Sequence, residues 1–567
     1  MNAAGPPVAA SISADRASVT TGVAAMHELR ATRQRHRLGD IEWFDAAYKV
    51  YVVGLFGGIV LLWLSDLVGD EALSAAQAAD VAAHGPAVLG MVAVVALALG
   101  LRSGSQGGPL ALEAADVTHV LLAPIDRRAA LMRPTFQRVR SAAFAGALVA
   151  ACLAQLAGRR LPGSPIAWFA AGALFGGIAA LVWVGGALVA HALHVPLAAS
   201  TVVAVVGIGW QAAAIGTDVP GPGDLHGSLG LWGWRQRGVD VVAIVVTVAL
   251  TVTGVALVAR SSLEALVRRS SLVAQLRFAV TMQDLRTVVL LRRQLAAEHT
   301  RARPWVRLGA GGRGPTVWRR GWHSLLRLPA GRLLRMFGLV ALAAGSQVAV
   351  VHGTSPAVFA TLVCAFVLGL EVMEPLSQEV DQPDRADSFP MPRGELMVRH
   401  LAAPAVVLVP FTIVGAAVGV AIDAMVTDGT RVAGTIPVAL LLGVAAVYAG
   451  AAGATVSIVR DMPDPVAGGS QDVYLPPEMA GMTTVVRTLI PLLVSAVGAA
   501  MALGVRAGLD DPAADPLANA LRGAVAVALT ATLVAVWVRF RDRVRARLRA
   551  FMAEGREYTQ QQRRSST

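Results

Sequence analysis

The feature that most constrains this chain is a succession of apolar runs, each long enough to cross a lipid bilayer. A transmembrane helix needs about 20 predominantly apolar residues. We place twelve such spans at 44–65, 86–101, 141–158, 165–192, 195–215, 238–259, 334–351, 354–373, 401–422, 435–458, 486–507 and 516–538. Only 15% of the 567 residues are charged, too few to cover a soluble protein of this size. The sequence therefore predicts an all-α, polytopic integral membrane protein.

The distribution of arginine predicts the orientation of these spans. Arginine supplies nearly all of the positive charge, because Lys49 is the only lysine in a chain of formal charge +12. The arginines cluster beside apolar runs, as in cytoplasmic loops, and this pattern disfavours a nucleic-acid partner. We expect both termini and the loops 102–140, 260–333 and 374–400 to lie in the cytoplasm, with the protein in the plasma membrane.

The predicted spans and loops divide the chain into five segments. They are a cytoplasmic tail at 1–43, a first six-helix unit at 44–259, a basic amphipathic linker at 260–333, a second six-helix unit at 334–538 and a basic tail at 539–567. Within the linker, Trp305, Trp318 and Trp322 stand beside arginines, which favours a position at the membrane interface.

Two of the cytoplasmic loops share a motif that indicates an internal duplication. A shift of 266 positions gives six identities in the 29 positions from Ser105 to Arg133. The shift places Pro109, Leu110, Glu113, Pro124, Arg127 and Arg133 on Pro375, Leu376, Glu379, Pro390, Arg393 and Arg399. It also carries the second to fourth spans onto the eighth to tenth. Since each unit has an even number of spans, the sequence predicts a parallel repeat.

We call residues 108–133 the first elbow and residues 374–400 the second elbow. Prolines interrupt helices, so each elbow is expected to be a short broken segment between two spans. The first elbow has an apolar side at Leu121, Leu122, Ile125 and Leu131, next to charged residues. Two interpretations remain open at this stage: the elbows dock a cytoplasmic partner, or they anchor two spans at the membrane surface.

The G-P-L-x-x-E segment, followed by "LLAPIDRRAALMR", resembles the membrane subunits of ABC exporters of the second type. It is similar to actinobacterial members in which two six-helix units are fused. The resemblance implies a permease whose elbows contact a separate ATPase subunit. The residues that it assigns to this coupling are Pro109, Leu110, Glu113, Leu122, Pro124, Arg127, Arg133, Pro375, Leu376, Glu379, Pro390, Arg393 and Arg399. The second elbow departs from the pattern, because Pro392 and Gly394 replace Asp126 and Arg128.

The chain lacks a phosphate-binding loop of its own. Such a loop needs a lysine followed by Ser or Thr, whereas Lys49 is followed by Val50. The glycine-rich stretch from Leu308 to Thr316 contains no lysine. We therefore expect no enzymatic activity and no cofactor in this chain, with ATP bound by the partner. The other expected partners are the bilayer and a transported substrate that the sequence does not identify.

Two alternatives to an ABC permease are an ion-driven secondary transporter and a membrane enzyme acting on lipid or glycan. The first is disfavoured because no span carries an ionisable group near its middle. The second lacks a cluster of acids and histidines. His191 and His194 form a possible metal pair without further ligands nearby. Glu371 and Glu374 are expected to face the cytoplasm, and Asp423 is expected to be solvated.

Overall fold

The structure is a computed structural model of the whole chain. It describes residues 72–110, 112, 117–121, 123, 125–217, 219–267, 270, 303–307, 315–426, 432–460, 477–511 and 515–565, with scattered positions from 22 to 58. Every regular element in these residues is helical. The chain forms two compact units, residues 1–291 and 292–567.

The first unit is built around one central helix. Its elements are α1 (Ala75–Ser105), a π-helical turn (Val117–Leu121), α2 (Arg127–Ala157), α3 (Pro165–Ala192), α4 (Leu197–Ile215), α5 (Asp224–Leu229), a 3₁₀ turn (Gly238–Asp240), α6 (Val241–Ala256) and a second 3₁₀ turn (Val258–Arg260). Helix α3 packs against α1, α2 and α6. It is the most deeply buried of the apolar helices in the described residues.

The second unit also has a central helix. Its elements are α7 (Thr316–Leu325), α8 (Ala330–Val351), α9 (Ala357–Val372), α10 (Glu374–Val380), α11 (Pro383–Asp387), α12 (Arg393–His400), α13 (Ala402–Val426), α14 (Val432–Arg460), α15 (Pro477–Asp510) and α16 (Pro516–Ser565). Helix α14 contacts α9, α13, α15 and α16. The short helices α10, α11 and α12 make up the second elbow.

Ten helices in the described part are long and apolar enough to cross a membrane. They are α1 to α4, α6 with its 3₁₀ turn, α8, α12 joined to α13, α14, α15 and α16. Helices α9 and α10 pass the same test only as a pair that is bent by 63°. The eleven predicted spans from 86–101 onwards each overlap one of these. The first predicted span, 44–65, is described only at scattered positions up to residue 58 and cannot be compared. The structure thus confirms an all-α chain with the character of a multi-pass membrane protein.

Glycine allows the spans to pack closely in both units. A Cβ atom on Gly146 of α2 would lie 2.5 Å from the carbonyl oxygen of Gly176 on α3. A Cβ atom on Gly369 of α9 would likewise lie 2.5 Å from the carbonyl oxygen of Gly450 on α14. Small residues of this kind bring helix backbones together in membranes, where apolar burial alone gives little driving force.

Candidate functional site: two elbows and their arginine-capped prolines

The second elbow begins where a span bends. Pro375 stands in the first turn of α10, just after the 63° bend. Proline has no N–H group, so Pro375 leaves the carbonyl of Glu371 without its usual helical donor. The Arg332 Nη2 atom donates to that carbonyl oxygen at 3.1 Å. A side chain from α8 therefore occupies the hydrogen-bonding position that the proline opens.

Arg332 is also the centre of a buried ion-pair network. Its Nη2 atom lies 2.7 Å from Glu374 Oε2, and its Nε donates to Glu371. Arg335 donates to the same Glu371 carboxylate. The side chains of Arg332, Glu371 and Glu374 are 12%, 8% and 15% exposed. Both glutamates are thus mostly buried and paired with arginines, and their position at the cytoplasmic side stays a prediction.

The apolar side of the second elbow packs into its own unit. Leu376 and Met397 are fully buried in a core that also contains Leu325 and Val447. Helix α7 lies against this side, with Trp318 and Trp322 packed on the same core. Pro375 is buried as well. The second elbow is therefore an integrated part of its unit, with most of its apolar side buried.

The buried carboxylate of Glu379 pairs with side chains from two helices of the second elbow and from the neighbouring helix α7. Its carboxylate is 1% exposed and lies 3.1 Å from Arg385 Nη2, 3.3 Å from Arg320 Nη2 and 3.4 Å from His400 Nε2. These partners come from α11, α7 and α12. A buried carboxylate needs such partners, because an uncompensated charge there costs several kcal/mol. The glutamate that the motif places in both elbows thus has a structural role in the second elbow.

Two further ion pairs form within the second elbow. Arg393 makes a two-pronged pair with Asp387 and is only 12% exposed. The hydrogen bond from Arg393 lowers the pKa of the Asp387 carboxyl below its usual value. Arg399 donates to Glu395 at 2.6 Å. Pro390 is exposed.

The first elbow is also anchored in the core of its unit. Pro109 is buried, and Leu110, Leu121 and Leu131 pack with Leu188 of α3. Leu121 and Leu131 of the apolar side therefore face inwards and do not form an exposed docking surface. Their core also takes in Met26 from the N-terminal segment. Three predicted coupling residues lie outside the described residues: Glu113, Leu122 and Pro124.

Beside the first elbow, an arginine also donates to a carbonyl group that a proline leaves without its helical donor. Pro134 lies inside α2 and leaves the carbonyl of Ala130 without its helical donor. The Arg30 Nη2 atom donates to this oxygen at 3.1 Å. At the other end of the unit, Pro86 of α1 leaves the carbonyl of Ala82 open in the same way, and Arg235 donates to it. Three prolines at or inside spans thus each have an arginine from another segment at the carbonyl they free.

The exposed face of the first elbow is strongly cationic. Asp126 caps α2 by accepting from the backbone N–H groups of Arg128 and Ala129, both at 3.2 Å. Arg127 and Arg128 in the first helical turn are exposed, as is Arg133 further on. Arginine at this position is unfavourable, since the helix N-terminus carries partial positive charge. Local stability of the helix therefore does not explain these arginines.

Other polar residues singled out in the sequence are used in the packing. Asp423 is buried, with its carboxylate 2.8 Å from His352 Nε2, so the expectation of a solvated side chain is wrong. His191 is buried near the carbonyl oxygen of Gly104, whereas His194 is exposed. The described residues contain no group of three side chains that could hold a metal ion. Sequence spacing could not reveal the His352–Asp423 pair, because its members come from different helices.

Comparison with protein-family models, with curated proteins and with solved structures finds no match for this chain. The functional interpretation therefore rests on the geometry of the elbows and on the motif that they share.

Proposed function

We propose that this chain is the membrane-spanning permease of an ABC transporter, an exporter, and that a separate ATPase subunit binds its elbows. The observation that carries the proposal is the construction of the elbows. Each elbow buries its apolar side in the core of its unit, while Arg332 and Arg30 fasten it to neighbouring segments. A force applied to the polar side of such an elbow would move the attached spans, as coupling to ATP hydrolysis requires.

The proposal includes a parallel duplication of a six-span unit with both elbows and both termini in the cytoplasm. The 266-residue shift relates Arg127, which begins α2, to Arg393, which begins α12. It also relates Leu110 to Leu376, and both are buried. Each unit places one helix, α3 or α14, at its centre. These correspondences support the duplication.

The two elbows differ in the charge that they offer to an ATPase. The first elbow exposes Arg127 and Arg128, whereas Arg393 of the second elbow is engaged by Asp387. The first elbow is therefore the principal contact in this proposal. Its partner surface on the ATPase carries carboxylates.

Charge reversal on the first elbow tests the proposal. We expect a protein with Walker motifs to co-purify with the tagged chain and to hydrolyse ATP. Arg127→Glu with Arg128→Glu should sharply reduce both the co-purification and the hydrolysis. The matched control, Arg237→Glu with Arg522→Glu, replaces two exposed arginines that lie outside both elbows. It should leave the co-purification and the ATP hydrolysis unchanged. Absence of any such ATPase from the purified chain would refute the proposal.

An ion-driven secondary transporter is the second candidate, favoured by the buried carboxylates Glu371, Glu374 and Glu379. Ion coupling needs a carboxylate that can change its charge during transport. These three are held by Arg332, Arg335, Arg320 and Arg385. Glutamate-to-glutamine substitution at each position, followed by transport driven by a pH gradient in liposomes without ATP, would separate this candidate from the first.

A further inference from the structure

The segment before α8 combines a high positive charge with exposed aromatic surface. From Arg301 to Arg335 the chain contains nine arginines, three tryptophans and no carboxylate. Glu379 pairs with Arg320, and Glu371 and Glu374 pair with Arg332 and Arg335. By composition the segment is strongly basic, and it leads into the span α8.

Five residues of this segment form what we call the basic-aromatic patch: Arg303, Trp305, Val306, Arg307 and Arg327. All five are exposed, with Trp305 at 47% and Val306 at 58%. Trp305 fastens the patch to the end of α7, because its Nε1 donates to the Leu328 carbonyl at 2.9 Å and its backbone N–H donates to Leu326. The patch is thus a fixed surface that begins just before the span α8.

We propose that the basic-aromatic patch binds the headgroups of anionic phospholipids. The arginines supply the charge for the phosphate, and each basic residue close to an anionic bilayer strengthens binding about fivefold. The indole of Trp305 and the side chain of Val306 suit the boundary between headgroups and acyl chains. Leu334 and Phe337 of α8, the span that follows the patch in the chain, are exposed apolar residues. They suit a lipid with acyl chains better than a free phosphate ion.

This lipid site is independent of any ATPase and depends only on insertion of the chain in a membrane. Helix α7 connects it with the second elbow, since the same helix carries Arg320, which pairs with Glu379. Bound anionic lipid would hold α7 at the membrane interface and thereby support the elbow that α7 covers.

Lipid retention by the full chain tests the proposal. The chain is purified in mild detergent with equal amounts of phosphatidylglycerol and phosphatidylcholine of identical acyl chains, and the bound lipids are counted by native mass spectrometry. We expect an excess of phosphatidylglycerol. Arg303→Gln with Arg307→Gln and Arg327→Gln should weaken its binding roughly a hundredfold, from about fivefold for each arginine. Trp305→Ser with Val306→Ser should also lower retention, although the charge is unchanged.

A matched control removes three arginines elsewhere, by Arg159→Gln, Arg237→Gln and Arg522→Gln. Retention should stay at the level of the unaltered chain. Equal loss in this control would show that net charge alone holds the lipid, and would overturn the site. Full displacement of the lipid by inorganic phosphate, or no effect of Trp305→Ser with Val306→Ser, would also overturn it, because each outcome describes a simple anion site.

Discussion

At the scale of single residues, arginine does more in this chain than set the orientation of spans. Arg332, Arg30 and Arg235 each donate to a carbonyl that a proline has freed from its helix. A carbonyl group without a hydrogen-bond donor costs free energy where water is absent. A guanidinium group can donate to such a carbonyl and pair with a carboxylate at the same time. The proline in each motif is visible in the sequence. Its arginine comes from a distant segment and could not be assigned from spacing.

Loss of the Arg332 side chain should destabilise the second unit strongly. Arg332→Gln leaves Glu371 and Glu374 without their buried partner, and we expect a loss of about 3 to 5 kcal/mol in the free energy of unfolding. Arg332→Lys should retain part of this stability, since an ammonium keeps the charge but lacks the planar fork geometry of guanidinium. Thermal unfolding in detergent measures both variants. Arg335→Gln is the control and should cost about 1 kcal/mol or less, because Arg335 is half exposed. Equal effects at both positions would contradict this account.

The stability of the first unit should decrease in acid because of His226 in helix α5. Burial of its ring, which contacts Thr247 Oγ1 at 3.0 Å, lowers the pKa of His226 below its usual value. The neutral form is thus favoured in the folded state, and its contribution to stability is complete above a pH of about 6.5 and is lost as the pH falls.

Unfolding temperatures in detergent should therefore fall between pH 8 and pH 5.5, and His226→Gln should reduce that difference. His84 is exposed, and His84→Gln serves as the control that leaves the difference intact. An unchanged pH dependence in His226→Gln would show that other groups cause it.

At the scale of helices, the sequence predicted which elements exist better than where they begin. The predicted span 141–158 starts 14 residues after the helix itself, because Arg133, Arg138 and Arg140 interrupt the apolar run without interrupting the helix. Helix α2 starts where Asp126 caps it. Hydropathy locates the part of a helix that fits lipid, whereas caps and prolines set its ends. The short helices of the second elbow were expected only as a broken segment.

Helix packing in the first unit should depend on the glycines between α2 and α3. Gly176→Ala would press a methyl group against the Gly146 backbone, so the helices must move apart. We expect a loss of about 1 to 3 kcal/mol, as for other overpacked cores. Gly209→Ala on α4 is the control, because a Cβ there meets nothing within 4 Å, and it should be neutral or slightly stabilising. Comparable destabilisation by the two substitutions, measured as thermal unfolding, would argue against close packing at Gly176.

At the scale of the whole molecule, the chain forms two compact units, and in the proposed topology the elbow of each unit lies in the cytoplasm. The succession of long apolar runs sufficed to predict an all-helical chain with the character of a multi-pass membrane protein. The inward direction of the elbows' apolar sides could not be predicted, because it depends on covering segments such as Met26 and α7 that lie far away in the chain. What remains exposed on the first elbow is the cationic face of Arg127 and Arg128.

The most direct test of the central claim is a cross-link from that face to the ATPase. Cys152 and Cys364 are first replaced, by Cys152→Ser and Cys364→Ala, and a single cysteine is introduced by Arg128→Cys. A bifunctional reagent is then applied to the membranes, and the product is identified by mass spectrometry. The account predicts a cross-link between this cysteine and a protein with Walker motifs, and none from a cysteine introduced by Arg522→Cys. Cross-linking from position 522 and not from position 128, or no ATPase product from either, would contradict it.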